Sequence, residues 1–332
     1  MIGVMGSEIK KSPNAPILAV DIGGTKLAAA LVAQDGRILS RIQEPTGREG
    51  PQHNIDQIIH LLETLLSGAG LRTADILGIG IGIPAMLENE TDFVIWGPNL
   101  EGWRGVELRP SIEAHFDLPV CIEYDGHTSV LGEWWVGAGR GHRSLVDIII
   151  GTGVGGGMIL EDRLIRGMNR LAGAAGWFTF CVGPGQVDQN DRSLGYWEAR
   201  TAGPGIARRA QELLATGEYS DSSLANHPRL TSREVFVAAQ QGDALSKKVC
   251  TETADLLGSG IANIISLVNP EIIILGGSVG ANAGFLIPRI YEVVNTWAQP
   301  VSARSVQILE STLAGDAGLL GAAYSALLRF GK

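Results

Sequence analysis

At 332 residues, 45% hydrophobic and 18% charged, the chain can bury a large core and exceeds one ordinary compact domain, so two lobes are expected. A net charge of −9 leaves no basic surplus to neutralise phosphates, which excludes nucleic acid as the main partner; no run of 18 apolar residues is present to span a membrane. The three cysteines, Cys121, Cys181 and Cys250, lack the spacing of a disulfide framework or a metal site, which points to a reducing, cytoplasmic setting.

Residues 1–16 carry no signal-peptide core and read as a flexible tail. "ILAVDIGGTKLAAALVAQDGRILSRIQEP" then reads as strand, Gly-Gly turn, strand, turn, strand: a meander, because alternation resumes directly after each turn. "NIDQIIHLLETLLSGAG" has helical spacing and a glycine stop. "ILGIGIGIP" and "LPVCIEYD" read as buried strands, and "HTSVLGEWWVGAG" as a helix. A second meander follows in "LVDIIIGTGVGGGMILEDRLIRG", repeating the architecture of residues 17–42 without repeating their identities. Helices are expected near 203–216, 232–241 and 244–268, then a strand in "PEIIILGGSVG" and a C-terminal amphipathic helix. The fold class is α/β, with a small lobe of residues 17–119 and 313–332 and a large lobe of residues 120–312.

Glycines, at 45 residues, cluster at strand ends, where bare backbone can approach a ligand. In "DIGGTK", Gly23 and Gly24 present N–H groups to an anion, Thr25 adds a hydroxyl and Lys26 a positive charge, and Asp21 can hold a hydrated metal ion. "GTGVGGG", with Thr152, Gly153 and Gly155, is a second such hairpin, and the two could clamp a polyphosphate. Taken singly, either is an ordinary turn. Neither is a P-loop or a dinucleotide fingerprint, because no helix follows the glycines. Gly276 and Gly277 end a third strand, where a flat base such as adenine could enter. Asp125, at the end of a buried strand, is either a turn-former capping the next helix or a catalyst.

"DIGGTK", "GIGIP", "PNLEGW", "EYD", "GTGVGGG", "GYWEA" and "NPEIIILGG" occur in the order and spacing of the ROK group of sugar kinases and repressors, which the chain resembles from about residue 17 to residue 330. That resemblance implies a two-lobed actin-like, hexokinase-like ATPase fold with an interdomain cleft. It implies ATP and Mg²⁺ held by both hairpins and the "LGG" strand end, a sugar at the base of the cleft, and a homodimer. By the same resemblance Asp125 is the general base that accepts the proton of the attacking hydroxyl. Phosphoryl transfer needs such an acceptor beside the nucleophile.

The resemblance also has gaps. The family's sugar-contacting Asn before the catalytic Asp is here Tyr124, and its sugar-binding Glu and His are replaced by Ala174 and Trp177. Asn99 and Glu198 match the pattern and are retained as candidate sugar contacts. The family's zinc loop keeps one misplaced cysteine, Cys181, with Tyr196 where the last should stand, so no structural zinc is expected. His127 lies near Asp125, where it could contact substrate, but it is expected on a helix surface. The expected function is an ATP-dependent sugar kinase with a substrate altered relative to glucose. The alternative is a catalytically weak metabolite-binding relative. A DNA-binding repressor is not expected, since only about 16 residues precede the first strand.

Overall fold

The computed structural model describes residues 13–180 and 193–331. The chain divides into two compact units, one running to Thr128 and resuming at Gly318, the other Ser129–Ala317. The first unit extends past residue 119, where the sequence reading ended it, because the strand Val120–Tyr124 pairs with Ile79–Ile83. The expected flexible tail lies outside the described residues as far as residue 12. Ala15 is already buried and its carbonyl accepts from Gln34.

In the first unit, β1 (Ile17–Ile22), β2 (Lys26–Val32) and β3 (Ile38–Pro45) form the antiparallel meander expected from the turns. β3 lies at the sheet edge and alternates half-buried and exposed residues, while β1 and β2 are almost wholly buried. Helix α1 (Pro51–Ala69) starts with proline in its first turn and stops at Gly70 in the left-handed conformation, whose N–H reaches the Leu66 and Ser67 carbonyls. Its apolar stripe packs Ile58, Leu61, Leu62 and Leu65 into the core. β4 (Ile79–Ile83) adds in parallel to β1. Its glycines serve packing: a Cβ on Gly80 would collide with the Ala322 backbone of the C-terminal helix Ala317–Phe330. β5 (Met86–Leu87), β6 (Val94–Trp96) and β7 (Arg104–Val106) make a small separate sheet. After α2 (Leu108–Phe116), β8 (Val120–Tyr124) completes the main sheet in the order β3-β2-β1-β4-β8. α3 (Asp125–Val136) follows without a loop.

The second unit repeats the pattern. β9 (Leu145–Ile150), β10 (Val154–Leu160) and β11 (Arg163–Leu164) form the second meander, and β12 (Ile272–Gly276) and β13 (Gln307–Glu310) extend it in parallel, in the order β11-β10-β9-β12-β13. The helices α4 (Tyr196–Thr201), α5 (Gly203–Ala215), α6 (Ser232–Gln240), α7 (Ala244–Val268), α8 (Ile287–Trp297) and α9 (Pro300–Ser305) bury the apolar faces of this sheet. Three of them match the spans read from periodicity. Trp197 is the large aromatic at the centre of this core. Among the described residues, no helix is long and apolar enough to cross a membrane.

Candidate active site

In the first unit the β1–β2 turn is tightly held. The Gly23 N–H donates to the Lys26 carbonyl at 2.8 Å, and the Thr46 hydroxyl donates to the Gly23 carbonyl at 2.6 Å. Gly24 and Thr25 are exposed and Lys26 is half-buried, so the turn presents its backbone outward. Asn99 is brought directly to it: a Cβ on Gly24 would stand 2.9 Å from the Asn99 carbonyl oxygen. The "PNLEGW" segment is anchored there by buried Leu100 and Trp103, whose indole N–H donates to Asn54 at 2.9 Å, which leaves Asn99 exposed. At the end of β1, the Asp21 carboxylate lies against Gly318, where a Cβ would meet Oδ1 at 2.8 Å.

Asp125 opens α3 directly after β8. Its Oδ1 accepts from the adjacent Gly126 N–H at 2.8 Å, and the Thr128 hydroxyl donates to its carbonyl. A residue acting only as a helix cap accepts from amides two or three positions on. Asp125 keeps part of its surface accessible, yet protein surrounds the carboxyl closely. Burial, followed by the negative charge of Asp21, pushes its pKa up to about 7. Asp125 and Asp21 are thus electrostatic neighbours in the same unit. Tyr124, half-buried, precedes Asp125 and meets His127 edge to face at 5.3 Å. His127 corrects an expectation: it is fully buried, not on a helix surface, with Nδ1 3.5 Å from Glu123 Oε2.

The second unit gathers the other candidates. Thr152 is exposed at the tip of the β9–β10 turn, and Gly153 and Gly155 are half-buried beside it. The Glu198 carboxylate, on α4, accepts from the Val154 N–H at 2.7 Å, which places it against this turn. Burial raises the pKa of Glu198 above the ordinary glutamate value, and the Val154 bond partly offsets that. Gly276 ends β12 and Gly277 follows at φ 76°. A Cβ on Gly277 would lie 2.5 Å from the Ile150 carbonyl, so both the left-handed conformation and the close approach require glycine. The "LGG" strand end therefore abuts the root of the glycine turn. Trp177 is 62% exposed and Ala174 is half-buried, so Trp177 does not fill the core. The core aromatic is Trp197, stacked on Phe178 at 5.6 Å.

Two features escaped the sequence reading. Asp147, in the middle of β9, is fully buried, and its Oδ2 accepts from the Ser129 hydroxyl at 2.6 Å. Burial, with repulsion from the buried Glu133, pushes its pKa up to about 7. The signal was available as the lone charge in the apolar run "LVDIII". The second is the Glu123–His127 contact, which spacing across a strand–helix junction does not reveal. Cys181 and the loop in which zinc ligands were sought lie outside the described residues. Among the described residues no three His, Cys, Asp or Glu side chains are grouped to hold a metal ion. Cys121 and Cys250 are buried free thiols, and burial pushes both up to about 12.

A family model described as the ROK family matches residues 17–328. A glucokinase of Halalkalibacterium halodurans is 34% identical over 309 residues, covering 92% of each chain. A glucokinase of Thermotoga maritima is 31% identical over 315 residues, covering 94% of this chain and 97% of its own. Among solved structures, a ROK family glucokinase from Streptomyces griseus in complex with glucose and AMPPNP superimposes with a TM-score of 0.79 at 31% identity. The match covers 94% of this chain and 99% of that one.

Proposed function

Because the chain belongs to the ROK family over residues 17–328, we propose that it is an ATP-dependent sugar kinase that uses Asp125 as its general base. Its fold is the family's two-domain actin-like, hexokinase-like ATPase fold. The observation that carries the reading is Asp125 at the β8–α3 junction, raised to about 7 beside Asp21. A carboxylate of that pKa is available near neutral pH to accept the proton of a sugar hydroxyl, a contribution of ~10²–10⁴-fold in rate.

The glycine turns fit a polyphosphate. Their backbone is outward in the first unit, and the Gly277 approach admits no side chain in the second. Gly23, Gly24, Thr25, Lys26, Thr152, Gly153, Gly155, Gly276 and Gly277 would hold ATP, and Asp21 the accompanying Mg²⁺. Bound ATP–Mg²⁺ supplies the phosphoryl group and neutralises its charge. Within the chain, Asn99, Tyr124, Trp177 and Glu198 orient the sugar and Asp125 holds the proton. Catalysis here is positioning and proton acceptance, which is what phosphoryl transfer asks of a protein.

Glucose is not the preferred substrate in this reading. Where the family's Glu and His would stand, Ala174 offers no hydrogen bond and Trp177 only an indole N–H donor with no acceptor, and each unmet hydroxyl costs ~1–3 kcal/mol. The aromatic faces of Tyr124 and Trp177 suit the apolar face of a sugar or a less hydroxylated ligand. The protein binds no structural zinc, works in the cytoplasm where ATP and reduced thiols are found, and forms a homodimer. Leu267, Trp297 and Val301 support the dimer, as strongly exposed apolar side chains on the mutually packed α7, α8 and α9. The test is ADP release measured against a panel of hexoses, aminosugars and polyols. Turnover with one of them, abolished in Asp125→Asn, is expected. Sugar-independent ADP release in every case defeats the reading.

A further inference from the structure

The β8–α3 junction holds a set of contacts to which phosphoryl transfer assigns no task. His127, in the first turn of α3, is fully buried. Its Nδ1 lies 3.5 Å from Oε2 of Glu123, which is buried as well. The same imidazole meets the Tyr124 ring edge to face, with centroids 5.3 Å apart and planes at 85°. Glu123 and Tyr124 are the last two residues of β8, and Asp125 comes next.

Consecutive strand residues leave opposite faces of a sheet. A single imidazole in contact with both Glu123 and Tyr124 therefore restrains the angle at which the strand ends. A buried carboxylate is strongly unfavourable away from polar partners. At 3.5 Å, Nδ1 makes no hydrogen bond to Glu123, so Glu123 restrains the imidazole by close packing and charge. The imidazole edge then limits the rotamers open to the Tyr124 ring, since edge-to-face pairs have a preferred geometry. Tyr124 remains half-buried, with part of its surface open one residue before Asp125.

We infer that His127, held by Glu123, is a positioning residue that sets the orientation of the Tyr124 ring beside Asp125 and so helps select the sugar. This rests on the sugar-kinase reading. A fixed aromatic surface at that place favours pyranoses that present an apolar C–H face, and disfavours ligands with hydroxyls on both faces. His127 acts through Tyr124 and does not itself need to touch the sugar.

The test uses the full chain with 3-fluorotyrosine at position 124, and the variants His127→Asn, Tyr124→Ala and their combination. Fluorine NMR should give one sharp resonance in the parent and a displaced or broadened one in His127→Asn. With the best sugar of the panel, His127→Asn should raise the sugar KM about three- to tenfold, the range expected from losing one aromatic pair. The ATP KM should change by less than about twofold, because ATP binding does not depend on Tyr124 orientation. In the Tyr124→Ala background, His127→Asn should add nothing further. An unmoved fluorine resonance, or additive KM effects, overturns the proposal. Glu123→Leu, which removes the polar partner at similar volume, carries the same readouts should His127→Asn fail to fold. If the parent phosphorylates no sugar, the kinase reading falls, and the fluorine resonance alone still decides whether His127 sets the ring.

Discussion

The Glu198 carboxylate accepts a hydrogen bond from the Val154 amide at 2.7 Å, and a Cβ placed on Gly153 would stand 2.8 Å from the same Oε2. A glutamate far along the chain thus braces the second glycine turn, and the glycine leaves room for it. Gly153→Val should push the Glu198 carboxylate aside and disturb the backbone proposed to meet phosphate. ATP titration should show loss of binding, with the fold retained by circular dichroism. Glu198→Ala should lower stability by ~1–3 kcal/mol, the cost of leaving the buried Val154 N–H without its acceptor. Unchanged ATP affinity in Gly153→Val would remove this turn from the nucleotide site.

Asp125→Asn should leave folding and ATP binding intact and cut turnover at least ~10²-fold. The pH profile offers a second check. Burial and Asp21 raise Asp125 to about 7, so the base is lost by protonation below that pH. The kcat/KM of the parent should therefore fall as pH drops through about 7. A flat profile from pH 6 to pH 8, or surviving turnover in the variant, would reduce Asp125 to a helix terminus.

Asp147 links stability to pH. Its folded pKa of about 7 exceeds the ordinary aspartate value of 3.8, so the folded chain keeps a proton that the unfolded chain has released. Stability should fall as pH rises from about 4 to about 7 and level off above that. Asp147→Asn cannot ionise, so its melting temperature should exceed the parent's at pH 8, with the gain vanishing near pH 4. Parallel pH profiles of melting temperature for the two proteins would show that Asp147 is ionised throughout.

Trp177 is 62% exposed, so its removal should leave the core untouched. Trp177→Ala should change stability by no more than about 0.5 kcal/mol, the usual range for surface positions. Restoring polar groups with Trp177→His and Ala174→Glu should raise kcat/KM for glucose by ~10-fold or more, as one or two hydroxyls gain partners. A parent enzyme with kcat/KM for glucose of ~10⁴ M⁻¹s⁻¹ or above would contradict the altered pocket.

Purified protein should contain far less than one zinc per chain by elemental analysis, and a chelator should leave its melting temperature unchanged. Stoichiometric zinc would place ligands where the sequence shows a single cysteine, Cys181.

Local pattern alone determined much of this protein. The apolar runs bounded by glycine turns located both meanders, and helical spacing located α5, α6 and α7 within a residue or so of their observed limits. The architectural repeat was legible because each meander is built from neighbouring segments, and the two sheets do share one strand order. The short strands β5, β6, β7 and β13 were not legible, being two to four residues long and set by pairing with partners rather than by their own pattern. The side-chain environments also required the tertiary structure. Periodicity states which face of an element is apolar, but not which distant residue will meet a polar atom. His127 looked like a surface residue until Glu123 and Tyr124 closed around it. Asp147 passed unread in its apolar strand, and only the fold shows that Ser129 reaches its Oδ2 and that the bare Cα of Gly276 leaves space for its Oδ1. Burial and partner choice arise from segments remote in sequence packing together, and these are what move the pKa values of Asp125, Asp147 and Glu198.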